Sequence, residues 1–291
     1  MRLGFRDEVV LIRDSFNHDL LPSGYLGVDI FFVISGYVIT ASLADRKSKN
    51  FADFLTGFYA RRIKRLLPAL IVFVLITSLL ITLFSPDPEA ALGLGMRSLF
   101  GISNITLFRS ASDYFIQASE LVPFTHTWSL GVEEQFYLVF PLLIWFSGFG
   151  KQHIRGARNL LLCIVVLTIA SLLSFVHLYP INLPAAYFLM PNRFWEMAAG
   201  CIVYVCFKKR AKLEQALQKA PPLLIVAAML AVMWMPAAEA VPATISMVVL
   251  SAVLIACLKQ GTNAYRFFTL RSIVSVQGAG LLIANFSPAE V

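Results

Sequence analysis

The chain has 291 residues, 58% of them hydrophobic and only 14% charged, and its mean hydropathy is +0.74. That composition excludes an ordinary soluble globular domain. The formal net charge of +7 does not describe a nucleic-acid surface, because the basic residues fall between apolar runs rather than along one face; no nucleic-acid partner is expected.

Residues 1–24 carry charge but no apolar core of the roughly 7–15 residues that a cleavable signal peptide needs, so none is expected. Apolar runs then follow at 25–43, 66–84, 130–147, 160–178 and 241–258, each near the roughly 20 residues that cross a bilayer as a helix. Shorter runs at 194–207 and 221–237 fit within a bundle. Their bulky aliphatic, non-alternating character predicts an all-α, polytopic transmembrane helix bundle rather than a barrel.

The stretch 90–108 has the length of a span but contains Arg97 and Asn104. Charge asymmetry decides its reading. If it does not cross, the basic segments 44–65, 148–159, 208–219 and 259–271 all fall on one side, which the positive-inside rule makes cytoplasmic. A re-entrant or interfacial segment is therefore expected there. The same bookkeeping makes span 25–43 run from outside to inside, as though a helix before it were missing.

Four constellations carry possible chemistry. In "FYARRIKRLLPAL" (58–70), Arg61 and Arg65 are four apart and Arg62 and Arg65 three apart, so on a helix they share a side, with Pro68 suited to the first turn of the next span. Anchoring to anionic lipid explains that cluster. So does a clamp for a phosphate-bearing donor, since arginine forks match phosphate oxygens. In "HTWSLGVEEQFYLVFP" (126–141), Glu133 and Glu134 stand at the outer end of a span, and Glu133 shares a face with Tyr137. An ionised acid drawn to the bilayer centre costs about 2.5–3.5 kcal/mol. An aromatic belt with dipole-favoured acids accounts for part of this block, the rings rather than two consecutive acids. In "MPNRFWEMAAG" (190–200), Arg193 and Glu196 are three apart and positioned to pair. In the opening span, Asp29, Phe32 and Gly36 share one face, and Ser35 with Gly36 allows a neighbouring helix to approach closely. Capping of the helix dipole is the plainer role for Asp29.

Asp29, His126 and Glu133 are the candidate catalytic groups, Arg61, Arg62 and Arg65 the candidate donor-binding groups, and Ser35, Tyr137, Arg193 and Glu196 further site candidates. Cys163, Cys201, Cys206 and Cys257 form no CxxC pair, lie at no metal-ligand spacing and read as packing residues, so no metal is expected.

In this order and spacing, "GYLGVDIFFVISGYVIT", "FYARRIKRLLPAL", "HTWSLGVEEQFYLVFPLL" and "RFWEMAAG" resemble the membrane-bound acyltransferase 3 family, which includes surface-polysaccharide O-acetylases. The likeness runs over roughly residues 16–210. It implies a bundle of about ten helices, of which about eight are expected here. It also implies transfer of an acyl group, expected to be acetyl, from cytoplasmic acetyl-CoA to a glycan hydroxyl at a bacterial inner membrane. No tightly bound cofactor is implied; the partners are membrane lipid and a carbohydrate acceptor, and the oligomeric state is left open. By motif, Arg62 and Arg65 match the RxxR arginines, Glu133 the acid of the WSLxVEEQFY block, Asp29 and Ser35 the GVDxFFxISG block, and Arg193 and Glu196 the RxWE block.

Two departures accompany the resemblance. Ser15 stands where the family's first helix carries a histidine, and "SIVSVQGAGLLIANFSPAEV" lacks the tryptophan and histidine of its last helix. Residues 1–24 and 272–291 are accordingly read as atypical ends of a membrane domain over 25–271. The alternatives to an active enzyme are an inactive remnant of the family and a transporter-like bundle.

Overall fold

The computed structural model describes residues 25–44, 48–86, 88–112, 124–149, 155–209, 221–236 and 239–257. The expectations for 1–24, Ser15 included, and for 272–291 lie outside these residues. Ten helices are described: α1 (Leu26–Ala44), α2 (Phe51–Phe84), α3 (Glu89–Leu99), α4 (Ser103–Ser112), α5 (Trp128–Phe146), α6 (Gly156–Leu178), α7 (Leu183–Phe188), α8 (Met190–Lys209), α9 (Pro222–Met233) and α10 (Ala240–Cys257). No strand occurs among the described residues, and the protein is an all-α membrane bundle. Helices α1, α2, α6 and α10 are long and apolar enough to cross a bilayer. Helices α5 and α8 have 19 and 20 residues, but they carry the acids and the arginine that lower their hydropathy.

The second span differs from its sequence reading. Helix α2 does not begin near Pro68 but at Phe51, and it runs unbroken for 34 residues with Pro68 inside it. A reciprocal cap sets that start: Asn50 Oδ1 accepts from the Asp53 amide at 2.8 Å and Asp53 Oδ2 from the Lys49 amide at 3.0 Å. At 1.5 Å per residue the helix is about 50 Å long, well beyond the roughly 30 Å hydrocarbon core. The arginine motif therefore rides on one rigid rod that continues into the span. Apolar side chains such as Leu75, Leu79 and Leu83, each more than 60% exposed, form the face this rod offers to lipid.

Aromatic contacts set α2 antiparallel to α5. Phe51 meets Trp145 at 5.3 Å between ring centroids, Phe58 meets Tyr137 at 6.2 Å, and Phe73 meets Phe124, just before α5, at 5.9 Å. Residues 58–62 of α2 therefore face the middle of α5.

Helices α1 and α8 cross closely because glycine stands on both sides. A Cβ at Gly36 would overlap the Met197 carbonyl, and one at Gly200 would overlap the Val33 carbonyl. The Gly36 carbonyl also accepts from Thr40 Oγ1 at 2.7 Å and Cys201 Sγ at 3.3 Å. Gly200→Val is expected to push the helices apart and to cost about 1–3 kcal/mol through overpacking; thermal unfolding in detergent measures it, and an unchanged midpoint contradicts the close crossing.

The stretch 90–108 forms no single span. It folds as the short helices α3 and α4, joined at Gly101, whose φ of 65° is left-handed. At 11 and 10 residues, each is about 16 Å long, half of what a crossing requires. Side chains pin this hairpin to its surroundings. Ser98 Oγ and Thr127 Oγ1 lie 2.6 Å apart, Ser103 Oγ donates to the Thr127 carbonyl at 2.9 Å, and Asn104 Nδ2 donates to the Phe188 carbonyl at 3.0 Å. From α5, Gln135 Nε2 donates to Asn104 Oδ1 at 2.8 Å and to the Gly101 carbonyl at 3.2 Å.

Candidate functional site

Two polar clusters stand along α1 inside the bundle. The outer one is built on Arg193, 3% exposed, at the start of α8. Its Nη1 donates to Glu196 Oε1 at 2.5 Å, the pairing that the three-residue spacing suggests, and to Asp29 Oδ1 of α1 at 3.0 Å. Its Nε donates to the Tyr187 carbonyl at 3.2 Å. The rings of Tyr187, Phe175 and Trp128 surround the guanidinium at 4.9, 5.5 and 5.7 Å from their centroids. Asp29 and Glu196 are fully buried, and Asp29 Oδ2 and Glu196 Oε2 have no hydrogen-bond partner. Asp29 is thus more than a helix cap, since it ties α1 to α8.

The inner cluster unites residues that the sequence placed on opposite faces of the membrane. Glu133, 3% exposed, does not sit at the outer surface. Tyr137, one turn further along α5, donates its hydroxyl to the Glu133 carboxylate. Arg62 Nη1 in turn donates to the Tyr137 hydroxyl at 3.2 Å, and its guanidinium lies 4.4 Å from the centroid of the Tyr137 ring. The Ser35 hydroxyl of α1 interacts with both Glu133 and Tyr137, and the charges of Arg62 and Arg65 both act on Glu133. The physical reason is the length of α2: a rod that starts at Phe51 carries its arginines up beside the middle of α5.

The remaining candidates fall elsewhere. Arg61 and Arg65 are exposed, whereas Arg62 is half-buried. His126 is exposed in the short 3-10 turn before α5, where its carbonyl accepts from Ser129 Oγ at 3.2 Å, and it joins neither cluster. Glu134 is half-buried and faces the hairpin turn, since a Cβ at Gly101 would strike its carboxylate. Cys201 and Cys257 are buried, but Cys163 is exposed and so is not a packing residue. A cavity of about 300 Å³ opens at the far end of α5, lined by Trp145, Phe146, Arg155 and Asn159 among others, and includes none of the acids. Among the described residues no group of side chains could hold a metal ion.

Sequence reasoning missed Trp128 and Tyr187 as walls of the outer cluster, and Asn104 and Gln135 as the fastening of the hairpin. A polar Gln135 following two acids in an apolar run was the available signal.

The polar clusters coincide with the motif blocks of the sequence. The model of the acyltransferase 3 family, described as an acyltransferase domain, matches residues 7–280. The chain belongs to the acyltransferase 3 family. Among curated members of similar sequence, O-acetyltransferase OatA of Staphylococcus aureus is 33% identical over 190 residues, covering 64% of this chain and 31% of that protein. Peptidoglycan O-acetyltransferase OatA of Listeria monocytogenes is 30% identical over 199 residues, covering 66% of this chain and 31% of that protein. The chain thus spans about a third of the length of these relatives. No solved structure matches it significantly. In this acyltransferase 3 chain, the four motif blocks supply both clusters: the outer from the GVD and RFWE blocks, the inner from the ISG, ARRIKR and VEEQFY blocks.

Proposed function

We propose that the chain is a multi-pass O-acyltransferase of a bacterial inner membrane, moving an acetyl group from cytoplasmic acetyl-CoA to a hydroxyl of a cell-envelope glycan. The observation that carries this reading is the contact of Arg62 with Tyr137 and, through it, Glu133. It joins a basic motif suited to a phosphate-bearing donor to a buried carboxylate suited to proton transfer. Family membership supports the reaction class. The name of the Listeria relative, a peptidoglycan O-acetyltransferase, supports a peptidoglycan-type acceptor, a polymer of the same glycan class as the surface carbohydrate expected from the sequence.

Glu133 is the general base of this reading. It takes the proton of a glycan hydroxyl as that oxygen attacks the thioester carbonyl, the C–S bond breaks, and the thiolate leaves to be protonated as free CoA, so the products are an acetyl ester and a thiol. Tyr137 and Ser35 hold the carboxylate, and the basic motif of α2 supplies positive charge toward the donor. Asp29, Arg193 and Glu196 fix α1 against α8 so that Ser35 meets Glu133. Membrane lipid surrounds the bundle.

The test is transfer of label from acetyl-CoA to a soluble glycan fragment by membranes containing the chain. Labelled glycan above a vector control, reduced by Arg65→Ala, is the expected result. A normally inserted chain that labels nothing overturns the reading in favour of an inactive bundle, and substrate movement without labelling would favour a transporter.

A further inference from the structure

We propose that Arg62 is a positioning residue of the reaction centre rather than a ligand of the donor's phosphates, and that Arg65 and Arg61 take the donor's negative charge. The inference deepens the O-acyl-transfer reading above and rests on it. Three arginines of one short motif have different surroundings. Arg62 is half-buried, with its guanidinium 4.4 Å from the centroid of Tyr137 and 5.8 Å from that of Phe58. Its Nη1 donates to the Tyr137 hydroxyl, which in turn donates its own hydrogen bond to the Glu133 carboxylate. The Tyr59 hydroxyl, on the same turn of α2, donates to the Tyr137 carbonyl at 3.2 Å and holds the two helices in register.

One Nη1 bond and the faces of two rings hold this guanidinium against Tyr137. To grip a phosphate it must turn its fork outward, leaving the two rings that attract it and the hydroxyl that couples it to a buried carboxylate. Breaking a buried charge network is costly, because the partner left behind stays out of water. Arg65 faces no such conflict. It is exposed, it lies about one turn further along α2, and its charge acts on the same Glu133. An anion docked on Arg65 stands near the acid while the Arg62–Tyr137–Glu133 relay stays intact. Arg61 is exposed too and lies about one turn before Arg65 on the same helix, on the same side, so one extended anion can meet both.

The test separates donor affinity from turnover, using CoA itself as a non-reacting probe of the full chain in lipid nanodiscs. Arg65→Gln is expected to weaken CoA binding about tenfold or more, as loss of a charge-assisted contact does. Arg62→Gln and Tyr137→Phe are expected to leave the CoA Kd within about twofold and the donor KM near its original value, while kcat falls about tenfold or more. Tyr137→Phe keeps the ring and removes only the hydroxyl, so it carries the test if Arg62→Gln does not fold. Arg62→Lys is expected to recover kcat only in part, because an ammonium lacks the planar fork and its stacking. A CoA Kd that rises in Arg62→Gln as it does in Arg65→Gln, with kcat preserved, overturns the inference and leaves the transfer reading standing. Absence of CoA binding by the unsubstituted chain removes the donor reading and this inference with it.

Discussion

Arg193→Ala is expected to destabilise the folded protein by at least about 3–5 kcal/mol, the cost of breaking a buried ion pair by removing one partner. Two carboxylates, Asp29 and Glu196, depend on this one guanidinium, and both are fully buried. Their second oxygens already lack hydrogen-bond partners, and the Thr244 hydroxyl, which acts on Asp29, supplies no positive charge to replace the guanidinium. Helices α1 and α8 also lose the polar tie just above the glycine crossing. Thermal unfolding in detergent is the measurement, and the expected result is a large drop in midpoint or failure to accumulate in membranes. Arg193→Lys recovers little, because a single ammonium cannot reproduce the bonds to Asp29, Glu196 and the Tyr187 carbonyl in one plane. Replacing the acids as well, with Asp29→Asn and Glu196→Gln added to Arg193→Ala, is expected to restore part of the loss, since the uncompensated charges are then gone. A triple variant no more stable than Arg193→Ala would show that the charges are not the source of the cost.

Glu133→Gln has the second large effect, on turnover rather than on folding. The amide matches the carboxylate in size and still accepts from Tyr137, so the buried cluster keeps its packing. It cannot take a proton. Acetyl transfer is expected to fall by about 10²–10⁴-fold, the usual contribution of a general base, while the unfolding midpoint stays close to that of the unsubstituted chain. A Glu133→Gln variant that transfers acetyl at the original rate would show that another group is the base.

The parts of this architecture that lie within one helix were legible in the sequence. The Arg193–Glu196 pair follows from three-residue spacing and the buried face of Asp29, Phe32 and Gly36 from helical periodicity; charge asymmetry between loops showed that 90–108 is not a full span, but not that it folds as two short helices. What escaped is tertiary. Nothing local joins Asp29 to Arg193, 164 positions apart, or Arg62 to Tyr137, 75 positions apart. A positive-inside count reports only the side on which a basic segment starts, and it led the arginines and the acids to be placed on opposite faces. The depth that Arg62 reaches depends on where α2 begins. Asn50 and Asp53 carried that information as a capping pair, but Pro68 offered a competing start, and in a packed transmembrane helix proline is tolerated inside. The walls of the outer cluster were invisible for a related reason: no local pattern joins Trp128 to Tyr187, whose rings come 4.6 Å apart only because α7 folds against α5.

In the proposed reaction, a donor reached from the arginine side and an acceptor on the opposite side meet at one buried centre. Proteoliposomes with the chain in a single orientation test this directly, with labelled acetyl-CoA supplied only on the side bearing Arg61 and a glycan fragment only on the other. Labelled glycan in the acceptor compartment, abolished by Glu133→Gln, is the predicted result. Labelling that occurs only when donor and acceptor share one compartment would contradict it.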